Sequence, residues 1–167
     1  DVNGAVGKLI YRGYLVKDLA EKATYEEVVY LLLYEKMPDR KELEAFKDRL
    51  AGEREIPPEV IAVLKTSPHS ALPMDILQAG VSLLAHHDPD VNDASREASE
   101  RMAIRLIAKL PAIVAAHDRI RNGKEPVEPS RDMSHAANFL YMLKGEAPVA
   151  RAGSGHHGWW PAHPGCP

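Results

Sequence analysis

Four side chains able to bind a metal crowd into the closing stretch "GHHGWWPAHPGCP": His156, His157, His163 and Cys166. All are zinc-competent donors. Adjacent histidines serve one tetrahedral site poorly, and the segment has neither zinc-finger spacing nor a second cysteine. Incidental metal affinity of a His-rich tail is the better reading, so no metal ligand is assigned.

Elsewhere the chemistry-bearing residues are scattered. "AHHD", Ala85 to Asp88, sets two histidines beside a carboxylate. Consecutive helical residues point about 100° apart, so they do not converge as a dyad. A polar helix end, where His also complements the dipole, accounts for them. His117 in "AAHDR" and His135 in "SHAANF" stand alone, with no nucleophile or base beside them. Each is read as a core-edge or hydrogen-bonded residue. Asp132 is a candidate helper in capping the helix that follows, and Arg12, between two tyrosines, is a candidate for stacking or an ion pair. No phosphate-cradling glycine loop, GxSxG or kinase-type set is present. The residues themselves therefore name no catalytic residue, no cofactor-binding residue and no cofactor.

The elements that would position these groups are helical. "VNGAVGKLIYRGYLV" begins with turn-forming glycines and has a β-rich run from Leu9 to Tyr14, which predicts a small hairpin or extended lead-in. In "ATYEEVVYLLLYEKMPD", Thr24 and Glu27 form a capping-box pair. Val28, Val29, Leu31, Leu32 and Leu33 predict a broad, deeply buried face, and Pro38 a stop. "DRKELEAFKDRLAGE" is an amphipathic surface helix on Leu43, Phe46 and Leu50.

Pro57 and Pro58 open a short helix with Val60, Ile61 and Leu64. A further helix starts at Pro73, where small Ala79, Gly80 and Ser82 would admit a close neighbour. Pro89 and Asp90 mark a turn. The longest pattern, about 94 to 121, contains Pro111, for which a kink is expected. After the polar loop "RNGKEPVEPS", Ser134 caps a last helix through Leu143, and Gly145 ends it. Six or seven helices and almost no strand make the fold class all-α.

Length and charge narrow the function classes. The 167 residues suit one domain with a real core. A net charge of -3 gives no basic face for nucleic acid. One cysteine, Cys166, excludes an internal disulfide and fits a reducing compartment. No apolar run approaches the roughly 18 residues of a membrane span, and no basic-then-apolar signal opens the chain. A soluble, cytoplasmic protein is expected. It opens "DVNGAVGKL" without an initiator Met, so it is expected to be cut at the front.

Four blocks together resemble a known family. "GKLIYRGYLVKDLAEKATYEEVVYLLLYEKMP" is similar to the opening of the citrate synthase large domain, with its G-x-L-x-Y-R-G-Y, D-L-A-E and E-E-V-x-Y-L-L pattern. "ALPMDILQAGVSLL" resembles the family's A-H-P-M-D-x-L-R-T-A-V-S helix. "RLIAKLPAIVAAHDRIRNGKEPVEP" and "MSHAANFLYMLKGEAP" resemble the L-I-A-K-L-P-x-I-V-A-A and L-S-H-A-A-N-F-L-Y-M-L helices. The blocks run in family order over about residues 7 to 148, closest in style to compact bacterial and archaeal forms that include 2-methylcitrate synthases. Three positions depart: Leu72 stands for a His, Gln78 for an Arg and Leu15 for an Asp.

The resemblance implies a multi-helical fold, part of the citrate synthase large domain, with a short β-like N-terminal segment. It divides the chain into 1–147, an N-terminal part of that domain, and 148–167, a non-native-looking tail expected to be disordered. It implies an acyltransferase condensing acetyl-CoA with oxaloacetate, homodimeric when intact. The Pro73 helix and its neighbours would belong to the dimer interface. The family's chemical groups lie in later segments, H-A-[DE]-H-x-x-N-A-S, G-P-x-H-G-G, G-x-G-H and a later Asp. None of these segments occurs here, and His156 and His163 do not take their places. Removing a proton from a thioester methyl needs a placed carboxylate and a donor to the enolate oxygen, and oxaloacetate needs arginine partners. The chain alone is expected to be inactive, with the acetyl-CoA site outside it.

From Pro148 apolar periodicity stops. After "FLYMLKGEAP" the family continues A-R-A-L-D-x-x-L, whereas here "ARA" meets "GSGHHGWW". With suitable codons, reading one base later gives Arg-Ala-Leu-Asp-Thr-Thr. An out-of-frame translation is the expectation, with a genuine evolved tail as the alternative. Two functional rivals remain: a non-catalytic helical interaction module, and a His-rich metal-binding protein resting on the tail alone. The sequence does not separate citrate from 2-methylcitrate synthesis.

Overall fold

The structure, a computed structural model, describes residues 2–3 and 8–147. The tail and its His156, His157, His163 and Cys166 lie outside the described residues. Seven helices and a small antiparallel sheet make up the described part, in keeping with the all-α expectation.

Two compact units divide the described residues, one ending at residue 46 and the other running from residue 47. In the first, strands β1 (Val2–Asn3), β2 (Lys8–Tyr11) and β3 (Tyr14–Leu15) pair in the order β1-β2-β3. Ile10 faces Leu15 and Tyr11 faces Tyr14 across the β2–β3 hairpin. Its two-residue turn, Arg12 (φ 45°) and Gly13 (φ 89°), has both residues left-handed, as the twist of a tight hairpin requires. Helix α1 (Val16–Lys22) follows at once, anchored by buried Leu19. Sequence periodicity had not separated this helix from the hairpin.

Helix α2 (Tyr25–Tyr34) carries the capping box that its sequence predicts. The Glu27 amide donates to Thr24 Oγ1 at 3.3 Å, and the Thr24 amide donates to Glu27 Oε2 at 2.6 Å. The helix ends before Pro38, at Glu35, which takes a left-handed φ of 64°. Its buried face is narrower than the apolar run suggests. Val29, Tyr30 and Leu31 are buried, while Leu32 is 43% exposed. Tyr30 and Tyr34 both meet Phe46 edge-on, with ring centroids 5.4 and 6.1 Å away. Phe46 belongs to α3 (Arg40–Gly52), whose Leu43, Phe46 and Leu50 are buried as their spacing requires.

The second unit is built from α4 (Pro58–Thr66), α5 (Pro73–His86), α6 (Arg96–Arg121) and α7 (His135–Lys144). Val60, Leu64, Ile76, Leu84, Ile113 and Ala116 form its main core, and Ala112, Ala115 and Met142 a second cluster. Helix α6 is continuous through Pro111. Ala108, Ala112, Ile113 and Ala115 around it are all buried, so packing holds the helix together where the proline lacks a donor.

Of the small residues on α5, Gly80 is the one packed inside. A Cβ built there would stand 3.0 Å from Ile113 Cγ2 on α6. Ala79 and Ser82 face outward with Asp75, Gln78 and His86. At α7, Ser134 is the cap, its Oγ accepting from the Ala137 amide at 3.3 Å. The cap is therefore Ser134 and not Asp132. Gly145, with φ 83°, closes the helix.

Candidate functional site

A cluster of four paired charges in the second unit lies where the α5–α6 turn meets α6. Sequence spacing brings Arg101 and Arg105, four apart, to one helical face. Both guanidinium groups fork onto aspartates of the turn. Arg105 donates from Nε to Asp88 Oδ2 at 2.8 Å and from Nη2 to Asp88 Oδ1 at 2.6 Å, and its Nη2 also reaches Asp90. Arg101 donates from Nε to Asp90 Oδ2 at 3.0 Å and from Nη2 to Asp90 Oδ1 at 2.5 Å. The turn closes on itself through the Asp90 amide, which donates to Asp88 Oδ1 at 2.9 Å.

These hydrogen bonds set the protonation states. The Arg105 guanidinium holds the Asp88 carboxyl below the usual carboxylate range, against the opposing effect of burial. Asp90 is held well below that range by Arg101 first and Arg105 second. The two arginines are pushed upward by the same partners. Each of these charges is thus satisfied by its neighbours, the guanidinium groups of Arg101 and Arg105 being both paired with carboxylates.

Beside this cluster lies a half-open cavity of about 420 Å³. Leu84, Leu106 and Met102 give it apolar walls, while Arg105 and Lys109 supply polar edges. Lys109 Nζ donates to the Glu53 carbonyl at 3.0 Å and the Glu55 carbonyl at 2.8 Å, tying the segment that follows α3 to α6. Desolvation pushes its pKa down. The set can bind apolar surface and fix a turn. It does not pair a carboxylate base with a donor to an oxyanion.

The histidines singled out in the sequence do not meet there. His86 and His87 are exposed at the end of α5, while their neighbour Asp88 is taken by Arg105. His117 sits half-buried on α6, its Nε2 buried without a hydrogen-bond partner among the described residues. Burial, with the nearby Arg121 cation, lowers its pKa. His135 is buried at the first position of α7. Arg12 pairs with Glu35 at 2.9 Å on the surface, an ion pair, one of the two roles that its place between tyrosines suggests. Among the described residues no group of three or more His, Cys, Asp or Glu side chains is placed to hold a metal ion. No helix there is long and apolar enough to cross a membrane.

The forks were missed in the sequence because their partners are 11 to 17 residues apart. The available signal was the pair of arginines four apart facing a turn with aspartates two apart.

Against known families, residues 1–154 match the family model described as "Citrate synthase, C-terminal domain". The chain belongs to the citrate synthase family. It is 47% identical over 141 residues to "Citrate synthase 2" of Bacillus subtilis, which covers 84% of this chain and 38% of that protein. With "Citrate synthase" of Haloferax volcanii it shares 42% over 153 residues, 88% of this chain and 40% of the relative. The solved citrate synthase of Pyrobaculum aerophilum superposes with a TM-score of 0.83 at 40% identity, over 89% of this chain and 39% of that one. The relatives also include a "2-methylcitrate synthase" of Mycobacterium tuberculosis, 38% identical over 140 residues, 84% of this chain and 35% of that protein. The chain therefore spans about two fifths of the length of these relatives.

Proposed function

We propose that this chain supplies helical scaffold to a citrate synthase-type acyltransferase that condenses acetyl-CoA with oxaloacetate to citrate and CoA. On this reading residues 1–147 are an N-terminal part of the large helical domain, and the chain alone is inactive. The observation that supports it is the conjunction of family membership with a cavity whose neighbouring arginines, Arg101 and Arg105, are already neutralised by Asp88 and Asp90. The condensation needs a carboxylate base, an enolate-oxygen donor and arginines free for oxaloacetate. The acetyl-CoA site belongs to the remaining three fifths of the family length.

A homodimer of the intact enzyme is part of the same proposal. The outward face of α5, small at Ala79 and Ser82, and the exposed Leu72 and Met74 at its start suit contact with a second copy. A cytoplasmic location and the absence of nucleic-acid partners fit the net charge of -3 and the single cysteine. Synthesis of 2-methylcitrate is the second reading, favoured by the 2-methylcitrate synthase relative. It would take an acyl-CoA one carbon longer.

A chimera tests the proposal: residues 1–147 joined in register to the remaining part of the Bacillus subtilis relative. It should release CoA thiol when given both acetyl-CoA and oxaloacetate. A chimera that folds and dimerises yet releases none would contradict the scaffold role. A faster reaction with the longer acyl-CoA would favour the 2-methylcitrate reading.

A further inference from the structure

We propose that residues 125–129, in the α6–α7 loop, form a flap that lifts off the cavity beneath it while the rest of the second unit stays folded. The flap runs between two unlike ends. On the α6 side stands Gly123, left-handed at φ 69°, with nothing within 4 Å of where a Cβ would be. On the α7 side Ser130 is pinned through its own backbone. Its carbonyl accepts from Arg54 Nη1 at 2.5 Å, and its amide donates to Asn138 Oδ1 at 2.8 Å. Arg54 and Asn138 are buried by this chain itself, at 3% and 2% exposure, and further chain could only bury them more.

Between these ends the flap is stiff and lightly held. Pro126 and Pro129 fix φ, so the segment turns as one piece between Gly123 and Ser130. Among the described residues, the hydrogen bonds that tie it down both fall on Glu125. Its carboxylate accepts from Lys65 Nζ at 2.6 Å, and its carbonyl accepts from Arg119 Nε at 2.6 Å. Two bonds on one residue give way far more readily than the core of the unit, so the flap opens in the folded chain.

The cavity it covers measures about 230 Å³. Ala112 and Ala116 of α6 line it, with Ile56, Ile61 and the flap's own Val127. Both alanines are buried, so a thiol placed at either meets solvent when the flap lifts. Every bond named lies inside this chain, and the flap does not depend on the activity proposed above.

The test is thiol labelling of Ala116→Cys in the full 167-residue chain, with Cys166→Ser removing the native thiol. Reaction with iodoacetamide is timed in low urea, beside hydrogen exchange of the Ser130 amide. The rate should be insensitive to urea below the unfolding transition and should rise about two- to fivefold on adding Glu125→Ala. The Ser130 amide should stay protected throughout. Ala112→Cys, on the same helix, replaces the reporter if Ala116→Cys does not fold. Labelling that climbs with urea in step with global unfolding would overturn the proposal. So would a rate unchanged by Glu125→Ala, or exchange of the Ser130 amide as fast as the labelling.

Discussion

The crossing of α5 and α6 offers a quantitative trial of how the second unit is held together. Gly80 faces Ile113, and a Cβ built on Gly80 falls 3.0 Å from Ile113 Cγ2 and 3.3 Å from Cδ1. Ile113 is fully buried and cannot swing into solvent to make room. Two effects oppose each other in Gly80→Ala. The new methyl improves helix propensity by about 0.8–1 kcal/mol. Forcing a methyl into a close-packed core costs roughly 1–3 kcal/mol. The clash should win, for a net loss of about 1 kcal/mol. Ile113→Ala alone should cost about 2–5 kcal/mol, because it leaves a cavity.

In that background the sign of Gly80→Ala reverses. The alanine now enters vacant space and gains its helix propensity, so the coupling between the two sites is about 2 kcal/mol. Urea unfolding of the four proteins, followed by circular dichroism with an osmolyte to keep the weakest folded, gives the cycle. Should Gly80→Ala stabilise the parent protein by the full propensity gain, or the coupling fall below about 0.5 kcal/mol, the close crossing is refuted.

Acid should weaken the fold through the aspartate–arginine forks. Asp88 and Asp90 are depressed in the folded state, so their stabilisation is full above the unfolded carboxylate range near 4 and is lost as pH falls below it. Asp88→Asn should flatten that loss between pH 5 and 2 in urea titrations (roughly the window these carboxyls span). Thr24→Ala removes the capping-box acceptor of the Glu27 amide and should cost about 1 kcal/mol, read from the thermal midpoint. Gly145→Ala should destabilise by about 1–2 kcal/mol from left-handed strain alone, and by more if Arg119, whose Nη1 would lie 2.8 Å from the new Cβ, cannot move aside.

Local signals were legible in the sequence and long-range ones were not. Thr24, Ser134 and Gly145 announce helix ends because capping involves residues a few positions apart, and all three appear as read. Leu43, Phe46 and Leu50 reveal their buried face for the same reason. Helix α1 escaped notice because its seven residues bury only Leu19 and have no side-chain cap. Leu32 was misjudged because apolarity does not say which part of a broad face will be covered. The forks of Arg101 and Arg105, and the Lys109 clamp across more than 50 residues, depend on tertiary placement that no local pattern encodes. The likeness to citrate synthases came from four blocks in register, and the family match supports it.

On the proposed reading, this member of the citrate synthase family supplies scaffold and does not perform the condensation by itself. The most direct test is to give the purified 167-residue chain acetyl-CoA and oxaloacetate together and follow free CoA thiol. No release above the enzyme-free control is expected. Thiol release that requires both substrates and scales with the amount of this chain would contradict the account.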